Sequence, residues 1–140
     1  MADIVFNAFK KNIMDGTIDL DADTIRVMLT TSDFTPTEDT MEFVSSVTNE
    51  ITGTGYTAKG IALEDLAVTV DDTDDEGVWD ASDSTWTSST ITARYAVIYK
   101  DTGTTGTSPI ICCIDFTEDK SSSNGDFKIA WAEEGILNLN

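Results

Sequence analysis

Apolar and polar residues alternate most regularly in two runs, 90–100 and 110–116, joined by a connection of Gly, Thr, Ser and Pro. β-Branched and aromatic residues dominate both runs, which predicts a β-hairpin with a long exposed loop. In the first run Ile91, Ala93, Tyr95, Val97 and Tyr99 share one face, and Thr92, Arg94, Ala96, Ile98 and Lys100 take the other. The second run is apolar on both faces until Asp115, the pattern of a strand in the middle of a sandwich. Ile25, Val27 and Leu29 alternate with Arg26, Met28 and Thr30 and predict a further strand with one strongly apolar face. Leu66, Val68 and Val70 predict another, as do Phe127, Ile129 and Trp131, and both sets match the apolar faces of the hairpin. Short strands are expected around 78–80 and after Gly135, and Trp86 is expected to lead into the 90–100 strand.

Near the start, Ile4, Val5, Phe6, Ala8, Phe9, Ile13 and Met14 approximate helical spacing, and Gly16 stands where a C-cap would. This predicts a short helix over 4–15, within an N-terminal helical segment of residues 1–16. Thr40 is placed to cap a helical turn carrying Met41, Val44 and Val47. Gly53, Gly55 and Gly60 favour turns or bulges beside a strand, and 119–126 reads as a polar loop. Strands at a spacing of roughly 8–12 residues, with Gly, Asp and Ser turns between them, predict an all-β fold. The expected architecture is one domain, 1–140, an antiparallel β-sandwich or jelly roll with a short N-terminal helix and the 90–116 hairpin at its centre.

Composition changes that picture little, but charge adds to it. The 140 residues are 40% hydrophobic, ordinary globular usage, while 26 acidic residues against 8 basic ones give a formal net charge of -18. Such a charge repels phosphate backbones and anionic membrane surfaces, which excludes nucleic acid and membrane as expected partners. No apolar run approaches the roughly 20 residues of a spanning helix, and the N-terminus lacks the apolar stretch of a secretory signal. The expectation is a soluble protein made in the cytosol.

The chain has no His, so it has no histidine base, no histidine metal ligand and no Ser–His or Cys–His pair. Gly53 to Gly60 places a Lys after glycines but lacks the spacing and the Gly-Lys-Ser/Thr ending of a phosphate-binding loop. With so many carboxylates, accidental acid pairs carry no weight as a catalytic signal. The sequence is therefore read as non-enzymatic. Asp72, Asp74, Glu76 and Gly77 occupy positions 1, 3, 5 and 6 of a calcium-loop pattern, with Asp83 at position 12. Against calcium, position 12 is Asp where a bidentate Glu is usual, and the flanks read as strands. The competing reading is a set of solvated acidic turns. Asp19, Asp21 and Asp23 form a second alternate triplet without the glycine.

Cys112 and Cys113 point to opposite faces of a strand and are expected to be packed, reduced thiols. Trp79, Trp86, Tyr95, Tyr99, Phe116, Phe127 and Trp131 are expected in a core or interface, with a sugar-binding face as the alternative. Arg26 and Arg94, the only arginines, either pair with carboxylates across a sheet or subunit boundary or stay exposed.

The order of residues in NAFKKNIMDGTIDLDADTIRVMLTTS (7–32), GTGYTAKG (53–60) and TWTSSTITARYAVIYKDTG (85–103) resembles small virion proteins of tailed bacteriophages. That resemblance implies a structural protein located in the virion and made in the host cytoplasm. A compact acidic β-domain of this size looks like the cement or decoration proteins that sit on capsid lattices, commonly as trimers. The implied partners are the major capsid protein or other virion proteins, with a homo-oligomer expected. Tail, neck or fibre placement is the alternative, and a calcium-dependent glycan-binding or adhesion module is the rival from another class. Phe6 and Phe9, apolar and close to the chain end, are expected with the Gly/Thr-rich loops to meet neighbouring subunits.

Overall fold

The computed structural model describes Met1–Asn140. Its elements are β1 (Ile4–Val5), α1 (Asn7–Met14), β2 (Ile25–Thr30), a 3-10 turn (Val44–Ser46), β3 (Ile61–Ala62), β4 (Ala67–Asp71), β5 (Glu76–Asp80), β6 (Ser84–Ser89), β7 (Thr92–Lys100), β8 (Ile110–Ser121), β9 (Gly125–Ile129) and β10 (Leu137–Leu139). They form an all-β sandwich with a short N-terminal helix. A five-stranded sheet, β1-β8-β7-β2-β3, is accompanied by a three-stranded sheet, β10-β5-β4, and a two-stranded one, β6-β9. Every strand pairing is antiparallel.

The β7–β8 hairpin is the centre of the large sheet, as its apolar pattern predicts. Two register shifts change which residues share a face. The first lies between Ala93 and Tyr95, so Ala93 joins Ala96 and Ile98 on one side while Tyr95, Val97 and Tyr99 face the other. Strict alternation had placed Ala93 with Tyr95, and the irregularity reverses that phase. The second shift, between Ile98 and Tyr99, lets Ile111 and Cys112 both face the same core although they are adjacent.

Each face of the large sheet has its own core. On one side Ile25, Val27, Leu29, Ile98 and Ile114 meet Trp79, Trp86, Phe127, Ile129 and Trp131 from the smaller sheets and their connections. On the other, Met28, Val97, Tyr99 and Cys113 meet Phe6, Phe34, Met41 and Val44. That second layer explains why Met28 and Thr30, on the expected minor face of β2, are fully buried.

Helix α1 begins later than its spacing predicts. Ile4 and Val5 are extended and pair with Cys113 and Cys112 along the open edge of β8. Two β-branched residues beside an unpaired ladder favour the strand. Ser84–Ser89 is a strand in its own right, pairing Trp86 with Phe127, and does not merge into β7. The expected polar loop 119–126 shrinks, because β8 runs to Ser121 and β9 starts at Gly125.

The glycine-rich segment is pinned against β2. Glu50 accepts hydrogen bonds from the Tyr56 hydroxyl (2.9 Å) and the Lys59 amide, while Tyr56 Oη accepts the Leu29 amide at 3.0 Å. Gly60 has φ +73°, and a Cβ there would lie 1.8 Å from the Val27 carbonyl oxygen. Only glycine allows that approach.

Candidate interaction surface

All eight basic side chains have a carboxylate of the same chain within 4 Å. Lys10 meets Glu38 (2.7 Å), Lys11 meets Asp15 (2.6 Å), Lys100 meets Asp23 (2.9 Å) and Lys128 meets Asp83 (2.7 Å). Lys59 and Lys120 lie beside Glu50 and Glu118. Arg94 forks onto Asp115 with bonds of 2.6 and 3.3 Å and stacks over Tyr95, 5.4 Å from the ring centroid. Arg26 donates to the Gly60 carbonyl at 2.6 Å and lies 3.8 Å from Asp101. Both arginines thus take the intrachain option.

These contacts act on the acids as expected. Hydrogen bonds from Lys11 and Thr17 bring Asp15 down to about 2. Lys128 lowers Asp83 and Arg94 lowers Asp115. Eight of the 26 acids are paired in this way, so 18 have no cation, equal in size to the net charge of -18. Residues 64–80, which hold β4 and β5, contain eight acids and neither Lys nor Arg.

Three of the four calcium-loop residues fall in the β4–β5 hairpin. Asp71 pairs with Glu76 across its base, and Asp71 Oδ1 accepts the Thr73 and Asp74 amides at 2.8 and 3.3 Å. Asp72 and Asp74 are exposed in the tight loop, and the Glu76 carboxylate accepts from Asn138. Asp83 is held elsewhere, by Lys128 and by the Trp131 amide at 3.2 Å. No three acidic or sulfur side chains converge as a metal cage anywhere in the chain. The linear spacing matched because a calcium loop is continuous, whereas strand β5 here carries the chain away from the turn. In the second triplet, Asp23 accepts the Asp19 amide at 2.8 Å and pairs with Lys100, while Asp19 raises the pKa of Asp21.

Phe6 and Phe9 are 0% and 5% exposed. Phe6, the residue that precedes α1, packs into one core, and Phe9, in its first turn, packs into the other. Both rings serve the chain's own packing and are not presented to neighbours, which corrects the expectation from their position near the terminus. Trp79, Trp86 and Trp131 are also buried, so none supplies an exposed sugar platform. Trp86 stacks with Tyr56 and meets Phe127 edge-on. Cys112 and Cys113 are free, buried and split between the two cores. Burial pushes the Cys113 thiol up to about 12 and raises Cys112 as well.

The large apolar side chains left exposed are Met14, Val68, Val70 and Leu139. Three of the four belong to the small sheet β10-β5-β4. Val70, Gly77 and Leu139 form one row across it, and Val68, Trp79 and Leu137 the next row on the same face. Trp79 is buried and Leu137 packs on the core, but the outer row is uncovered, with Val70 78% and Leu139 73% exposed. β4 is also an edge strand, bonded only to β5. Sequence pattern assigned Val68 and Val70 to the core; the signal against it was the density of acids on both sides of them. Comparisons with protein-family models, curated proteins and solved structures found no match.

Proposed function

We propose that this chain is a non-enzymatic structural protein of a tailed-phage virion, a cement or decoration protein that stabilises the capsid lattice. The observation that carries the reading is the exposed apolar sheet of Val68, Val70 and Leu139 on a body held by two cores. A cement protein acts by surface contact from a rigid scaffold, and an uncovered apolar patch beside a free strand edge suits that task. The likeness of residues 7–32, 53–60 and 85–103 to small virion proteins supports the same reading. The partner is the major capsid protein, with the chain assembling as a trimer through surfaces other than its acidic sheet.

The test is to raise antibodies against the purified chain and label particles of the phage that encodes it. Label spread over the capsid shell, together with a trimer in sedimentation, is the expected result. Label confined to the tail or neck, or a stable monomer absent from particles, overturns the capsid reading.

A further inference from the structure

Strand β4 is an edge strand without three devices that blunt a free edge, a Lys, a Pro or a bulge. Its residues, Ala67, Val68, Thr69, Val70 and Asp71, include no Lys and no Pro, and they pair with β5 residue for residue without a shift. The free side of β4 therefore offers unpaired backbone groups along a regular strand, with Val68 and Val70 on one face. A strand added there would extend the row in which Leu139 and Val70 lie and shield the two valines.

Charge decides what that strand is. Asp65 precedes β4, and Asp71, Asp72, Asp74 and Asp75 close it, with no base between residues 64 and 80. A second copy of this chain is a poor occupant. Pairing β4 with its own copy sets acids against acids in either direction, and every Lys and Arg already has a carboxylate partner within its own chain. We propose that the β4 edge is a docking site for an extended segment of a different protein, one with alternating apolar residues flanked by Lys or Arg. The apolar residues cover Val68 and Val70, the backbone completes the ladder, and the flanking cations meet the acids at both ends. This goes beyond the virion reading and does not rest on it.

The probe is a dye-labelled peptide, Lys-Lys-Thr-Val-Thr-Val-Thr-Lys-Lys, titrated with the intact chain by fluorescence anisotropy at about 50 mM salt. Saturable binding is expected, with NMR amide shifts concentrated in residues 67–71. Val70→Asp is the deciding variant, because a side chain 78% exposed can be changed without touching the core. Strand addition predicts that Val70→Asp weakens binding by about tenfold, as does replacing both peptide valines with Ser. Charge attraction alone predicts the opposite sign for Val70→Asp, since it adds an acid facing a basic peptide. Tighter or unchanged binding to the variant, equal binding of the Ser peptide, or no saturation each overturns the proposal. So does a homodimer in sedimentation that Val70→Asp dissociates.

Discussion

Val97 in β7 and Val70 in β4 are the same residue in the same kind of strand, yet Val97 is 0% exposed and Val70 is 78% exposed. β7 lies between β8 and β2 and is covered on both faces by separate cores. β4 has a neighbour on one side only, and its Val68 and Val70 are left 53% and 78% exposed within the chain. Burial is thus a property of position in the sheet and not of the alternating pattern, which both strands possess. The charge follows the same division: Arg94 and Lys100 of β7 sit in ion pairs with Asp115 and Asp23, while the acids of 64–80 have no cation at all.

The sharpest way to break the comparison is to truncate one apolar side chain to Ala in each region. Ile98→Ala, at a fully buried position of β7, is expected to cost about 2–5 kcal/mol in urea unfolding through lost transfer energy and a residual cavity. Val70→Ala should stay within about 0.5 kcal/mol. Similar losses for the two would mean that β4 is covered after all. The next effect concerns the link between the regions. Trp79 of β5 donates its indole N–H to the Leu20 carbonyl at 2.9 Å, so Trp79→Phe leaves a buried acceptor unpaired and should cost about 1–3 kcal/mol. A loss under a few tenths would show that water replaces the bond.

Acid tests the paired charges outside the acidic sheet. Asp15, Asp83 and Asp115 have folded pKa values below their unfolded ones, near 3.9. Their stabilising contribution is present above about pH 4 and is lost as pH falls through the folded values, about 2 for Asp15. The urea midpoint should therefore fall between pH 4 and 2, and Asp115→Asn should flatten part of that slope. A midpoint that does not change over this range would show that the pairs are not formed in solution. The smallest expected effect is that of calcium. With Asp83 held by Lys128 and the hairpin turn closed on itself, about 1 mM calcium should leave Trp79 emission and the melting temperature unmoved. A saturable shift would restore the loop of Asp72, Asp74, Glu76 and Asp83 as a site.

Much of the fold was legible in the residues. The runs at 25–30, 90–100 and 110–116 became β2, β7, which starts two residues later at Thr92, and the buried part of β8, and Gly16 follows the helix with φ +77°. Periodicity reports the local conformation that a chain favours, and these segments are long enough for that signal to be clear. Ile4 and Val5 were misread because their strand exists only through the ladder offered by Cys112 and Cys113, more than a hundred residues away. Phe6 and Phe9 were misread because position near a terminus carries no information about burial. The exposed surface was the least legible part, since Val68 and Val70 alternate as a core strand would.

Local pattern and composition determined that this protein is an all-β chain with a large acidic excess and no histidine, because those properties are short-range patterns or sums over residues. Tertiary structure decided which apolar faces are covered, which carboxylates meet the eight cations, and which strand is left at an edge. Those outcomes depend on contacts between distant segments, and the free energy of burying a side chain is set by what arrives to cover it.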